Sequence, residues 1–183
     1  MINLTKKALP NTVIVKGKAF SIYTDYRIWM RFEIELSKYK EGTEWDLRYL
    51  FKNEIPYSMD LTGILEFAKP VNELPRSIGR QSHAIPLDYS IDGDLIYSAF
   101  MEQYGIDLIN IPELHWHKFL ALLNGLNDNV KLRQVMGYRC YEKDNRKDVD
   151  HYAELRAMWE IEPPLTEEEQ EQMNEFDRIF GDI

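Results

Sequence analysis

The chain has one cysteine, Cys140, among its 183 residues. That excludes an internal disulfide and any metal site built on several thiolates. No apolar run approaches the roughly 20 residues that a membrane-spanning helix needs, so no membrane association is expected. Lys6 and Lys7 near the N-terminus are not followed by an apolar stretch, so no secretory signal is read there and the expected compartment is the cytoplasm. A basic surplus is lacking too. With 22 Lys+Arg against 31 Asp+Glu the formal charge is -9, which argues against nucleic acid as a partner.

Recognisable chemistry is equally sparse. Gly17-Lys18 lacks the glycine spacing of a phosphate loop, and no Gly-x-Ser-x-Gly nucleophile turn occurs. The four histidines are His83, His115, His117 and His151. His115-x-His117 would be a metal pair on a strand. On a helix, two residues apart means a rotation of about 200°, so the expectation is one histidine at the core edge and one in water. Asp92-Gly93-Asp94 opens like a calcium loop, but Ile96 and Ala99 cannot coordinate and Gln103 stands where the closing carboxylate belongs. Cys140, between Arg139 and Tyr141, reads as packing rather than as a nucleophile. No catalytic, cofactor-binding or metal residue is assigned, and the expectation is a non-enzymatic protein without a cofactor.

Aromatics are what the sequence has in abundance: 11 Tyr and 4 Trp, with 8 Phe. Tyr, Trp and Arg concentrate in protein–protein interfaces, so an interaction protein is the reading that composition favours. The charge is uneven. Residues 1–91 hold 13 basic and 11 acidic side chains, a balance of +2, and residues 92–183 hold 9 and 20, a balance of -11. Residues 160–183 carry nine acids against Arg178 alone, which suits a solvated helix or a weak contact with a basic partner.

The periodicity predicts a mainly α-helical fold with one small N-terminal β-hairpin. Val13-Ile14-Val15, the turn Lys16-Gly17-Lys18 and the return Ala19–Tyr23 form the hairpin, at about residues 12–23. Thr24-Asp25 caps a helix that carries Trp29, Phe32, Leu36 and Tyr39 on one face and ends near Lys40. Residues 44–52 read as a short second helix. A third, capped by Ser58 or Asp60, runs through Leu61, Leu65 and Ala68. Residues 70–86 lack periodicity and hold Pro70, Pro75, Pro86 and Gly79, so a long exposed loop is expected, cut first by trypsin after Arg76 or Arg80. Asp92 caps the next helix, whose stripe is Leu95, Ile96, Ala99, Phe100 and Tyr104, with Gly105 at the left-handed C-terminal position. Ile109–Pro112 should open a helix ending at Asn124-Gly125. Asp128 or Asn129 should start another through Tyr138, with a polar loop at 144–148. Helical segments are expected at 149–160 and 167–180, the latter with Thr166 and Glu169 at capping-box spacing. The organisation is therefore 1–69, hairpin and helices; 70–86, loop; 87–145, a second helical part of the same domain; and 146–183, an acidic helical tail. The expected core is Trp29, Phe32, Leu36, Leu95, Ile96, Phe100, Tyr104, Trp116, Phe119, Leu120 and Leu123.

Four strings then point further. They are Asp94–Phe100, Gln103–Leu108, Leu114–Phe119 continued by Ala121–Leu126, and Met136–Arg139. In that order and spacing they closely resemble the gene-product-fifteen family of Gram-positive siphophages. The hairpin and Thr24–Glu33 extend the similarity, which covers roughly residues 9–142. His117 stands where a second tryptophan is expected, Gly137 interrupts the last string, and no motif is matched beyond residue 145. The resemblance implies a protein encoded between the major tail protein and the tape measure protein, in the cytoplasm of the bacterial host. The role it implies is a tail assembly chaperone that binds the tape measure protein, with the major tail protein or a second copy of itself as further partners. The competing role is a structural tail or connector subunit retained in the virion. The resemblance brings no catalytic or binding residues with it.

Overall fold

The computed structural model describes residues 2, 4–40, 44–57, 60–69, 84–142, 151–162 and 178. Strands β1 (Thr12–Val15) and β2 (Lys18–Ser21) pair antiparallel, with Val13 opposite Phe20 and Ile14 opposite Ala19. The alternation buries Val13, Val15 and Phe20 and leaves Ile14 outside. Lys16 and Gly17 both take positive φ, 48° and 79°, the backbone that lets a two-residue turn follow the twist of the strands. Beyond the hairpin the chain pairs Ile22 with Phe51, and the Tyr23 amide donates to the Leu50 carbonyl at 2.9 Å.

The helices are α1 (Tyr26–Ser37), α2 (Leu61–Ala68), α3 (Gly93–Tyr104), α4 (Trp116–Asn124), α5 (Lys131–Arg139) and α6 (His151–Trp159). A mainly α fold with a small N-terminal hairpin is thus the observed architecture. Asp25 caps α1 by accepting from the Arg27 amide, and Asp60 caps α2 through Thr62. Gly105, at φ 65°, ends α3 in the left-handed conformation. Helix α2 lies against β1, where a Cβ on Gly63 would fall far inside contact distance of the Ile14 carbonyl oxygen, with the carbonyl carbon 3.0 Å away. The missing side chain is what allows the helix to approach that strand so closely.

The chain divides into two compact units. The first comprises Met1–Gln81 and Leu87–Met136. Its core is aromatic: Phe119 of α4 stacks on Tyr26, Phe100 and Trp116, at 4.9, 5.1 and 5.6 Å between ring centroids. Trp29 packs on Phe32 and Phe67. Of the expected core, Leu36, Leu95 and Tyr104 lie at its margin and the rest are buried.

The second unit comprises Ser82–Pro86 and Gly137–Ile183. Arg139, only 3% exposed, organises it. Its Nε donates to the Trp159 carbonyl at the end of α6 (2.7 Å) and one Nη to the Pro86 carbonyl (3.2 Å). A cation at a helix C-terminus is placed where the dipole favours it. Arg156 donates to the Tyr141 carbonyl at 3.0 Å, and Tyr152 packs on Tyr138 and Tyr141.

Two helices differ from expectation. Residues 44–52 form only a 3₁₀ turn, Arg48–Leu50. The Asp46 carboxylate takes the Arg48 amide and guanidinium, and Trp45 is drawn to Glu35, so local side-chain bonds replace the helical ladder. The helix expected to open at Ile109–Pro112 begins at Trp116. Asp107 accepts from the Ile109 and Asn110 amides (2.9 and 3.1 Å), which fixes a turn there instead. Residues 70–83, 143–150, 163–177 and 179–183 lie outside the described residues, so the expected loop from Pro70, the polar loop at 144–148 and the helix at 167–180 fall mostly there.

Candidate functional site

One face of α1, with the chain that follows it, gathers half-exposed aromatic and charged side chains. Helical spacing aligns Arg31 and Glu35, which pair at 2.7 Å. Glu35 is a hub. One carboxylate oxygen accepts from Arg31, and the other from the Trp45 indole at 2.8 Å and the Tyr49 hydroxyl at 2.7 Å. Burial alone would raise the Glu35 pKa, but the bonds from Trp45, Arg31 and Tyr49 outweigh it and hold the carboxyl below its ordinary value. Tyr49 moves the other way. Its own burial, then the Glu35 carboxylate it donates to, push its pKa up, so the phenol stays protonated. The Arg31 guanidinium lies 4.0 Å from the centre of the Tyr49 ring.

These bonds fix a stack of rings. Trp45 stacks on Phe32 at 5.2 Å and on Tyr39 at 5.2 Å. The stack rises from fully buried Phe32 to Tyr39, which is 42% exposed. Beside it Glu35, Lys38, Tyr39, Glu44 and Trp45 line a shallow cleft of about 230 Å³. The arrangement offers ring faces and charge to a partner. Among the described residues no group of three or more His, Cys, Asp or Glu could hold a metal ion.

The histidine pair is placed differently from the helical expectation. His115 precedes α4 and is its N-cap, so the two rings lie 5.2 Å apart rather than on opposite sides. Nδ1 of His115 accepts from the His117 amide at 3.0 Å. Its Nε2 must then carry the proton, which it donates to the Pro10 carbonyl at 2.8 Å. His117 is buried. Its Nε2 donates to the Phe67 carbonyl at 2.9 Å, and its Nδ1 has no partner. Burial is the main cause lowering both pKa values, and the bonds to Pro10 and Phe67 oppose it. The neighbouring Trp116 indole donates to the Ala68 carbonyl at 2.9 Å. Two consecutive rings therefore satisfy the last carbonyls of α2. His151 lies on α6 beside Glu154, His83 lies outside the described residues, and Cys140 is exposed.

Two of the stretches behind the sequence similarity, Thr24–Glu33 and Leu114–Phe119, meet in one place, together with Leu108 at the end of a third. Asp25 and His115 form an isolated antiparallel bridge. The Tyr26 amide donates to the Leu114 carbonyl at 2.8 Å, and the Trp116 amide to the Thr24 carbonyl at 2.7 Å. Arg27 binds the Leu108 and Ile111 carbonyls at 2.9 and 2.8 Å, and the Tyr26 hydroxyl also reaches Leu108, at 2.6 Å. The family model described as "Bacteriophage Gp15 protein" matches residues 6–161. The chain belongs to that family. No curated protein and no solved structure matches it. In this Gp15-family chain the matched span takes in the Asp25–His115 clasp, the stack on α1 and helix α6. Sequence periodicity placed Trp29, Phe32 and Tyr39 on one face. It missed Glu35 as a hub and Trp45 as the ring between Phe32 and Tyr39, because those bonds join a helix to a loop. The signal that could have found them is the alternation of Trp45, Leu47 and Tyr49 with charged Asp46 and Arg48, a spacing that does not suit the helix expected there.

Proposed function

We propose that this phage protein is a non-enzymatic tail assembly chaperone that binds the tape measure protein in the cytoplasm of the bacterial host. Family membership supports a phage role, and the motif resemblance supports the tail gene cluster as its setting. The observation that carries a binding role is the ring stack on α1, half-exposed and held rigid by Glu35. Rigid aromatic surface binds with little loss of side-chain freedom, which is what a holding partner needs. The acidic C-terminal segment supplies solubility and long-range attraction to basic partners. The major tail protein is a second candidate on the same surface.

Co-expression tests the reading. The tape measure protein should be more soluble with this chain than without it. Purified virions, analysed by mass spectrometry, should hold little or none of the chain. An unchanged soluble fraction, or a fixed copy number in virions as a structural subunit would have, overturns the chaperone role.

A further inference from the structure

We infer that the cleft beside the α1 ring stack seats an arginine side chain of a protein partner, with its guanidinium on Tyr39 and its charge answered by Glu44. This rests on the binding reading above but not on the identity of the partner. The stack stops at Tyr39 with ring surface still open to solvent. Glu44 lines the same cleft, is exposed, and has no hydrogen bond or ion pair among the described residues. A ring face next to an uncommitted carboxylate attracts a planar cation. Lys38 is the cation lining the cleft, so the site discriminates by the ring face of Tyr39 as well as by the charge of Glu44.

The chain already uses this chemistry about two helical turns away. Arg31 lies 4.0 Å from the Tyr49 ring centre and 2.7 Å from Glu35. Arginine fits better than the alternatives. A lysine ammonium cannot stack, and an uncharged ring would cover Glu44 without pairing it. The site is also formed in advance, because the Glu35 bonds fix Trp45 before anything binds.

The probe is N-acetyl-arginine methylamide, titrated into the full-length chain and followed by NMR at the Trp45 indole N–H and the Tyr39 ring. Saturable shifts are expected with this probe and not with its neutral citrulline counterpart. Tyr39→Ser and Glu44→Gln should each weaken binding roughly two- to fivefold while leaving the remaining spectrum unchanged. Absent shifts, equal shifts with citrulline, or unchanged binding by both variants overturn the assignment. A parallel titration with the tape measure protein separates the two readings. Arginine binding without tape measure binding sinks the chaperone role and leaves this site standing. Tape measure binding that both variants retain in full, without an arginine response, does the reverse.

Discussion

A methyl group at position 63 would collide with the Ile14 backbone, which cannot move aside as a side chain could. Gly63→Ala is therefore expected to cost roughly 1–3 kcal/mol or more in denaturant melts, although alanine is the better helix former. Phe100 is fully buried against Phe119, and Phe100→Ala should cost roughly 3–5 kcal/mol in the same measurement. The histidines give a pH dependence. Both pKa values are lowered in the fold, so the unfolded chain binds protons first as pH falls. Their contribution is complete above about pH 6.5 and is lost as pH drops through the folded values. Melts between pH 7.5 and 5 should show declining stability, and a His115→Asn/His117→Gln double variant should flatten that slope. Single residues were partly legible in the sequence. Phe100 and Trp116 stood out by spacing, whereas Gly63 has no signature, because its role depends on a strand some fifty positions earlier.

Helices were legible where a stripe met a clear stop, as in α3, which Gly105 ends; Asp92 stands at its N-terminus but gives no capping bond, because its carboxylate turns back to accept from the Asp88 amide. They were misread where a carboxylate two or three residues ahead offered the backbone another partner, as Asp46 and Asp107 do. The start of α4 was hidden for a further reason, since histidine is an uncommon N-cap. His115→Ala should remove that cap and cost about 1 kcal/mol, with faster hydrogen exchange at the His117 amide, and His115→Asn should restore much of it. Helix α6 depends on Arg139. Arg139→Met removes the side-chain bonds to the Trp159 and Pro86 carbonyls. Exchange should then rise across α6, while exchange across α1 and α4 of the first unit stays close to wild type.

At the scale of the molecule, the proposed chaperone role assigns charge and aromatic surface different parts of the binding. Residues 160–183 hold nine acids and one base, so their pull is long-range and screened by salt. Deleting 165–183 should slow association with the tape measure protein modestly, with the difference shrinking at high salt, as stopped-flow mixing at two ionic strengths would show. The fold class could be read from periodicity because helices and hairpins are local. The clasp could not, since Asp25 and Leu114 are 89 residues apart. That separation has a consequence in time. A ribosome adding about 5–20 residues each second needs roughly 5–20 s to make the second half of the clasp after the first has emerged. Throughout that interval Tyr26 waits for Phe119, and Arg27 for the carbonyls it will hold. The nascent N-terminal half is thus the stage at which this chain is most exposed to aggregation, and a fragment ending at residue 113 should be far less soluble than the whole.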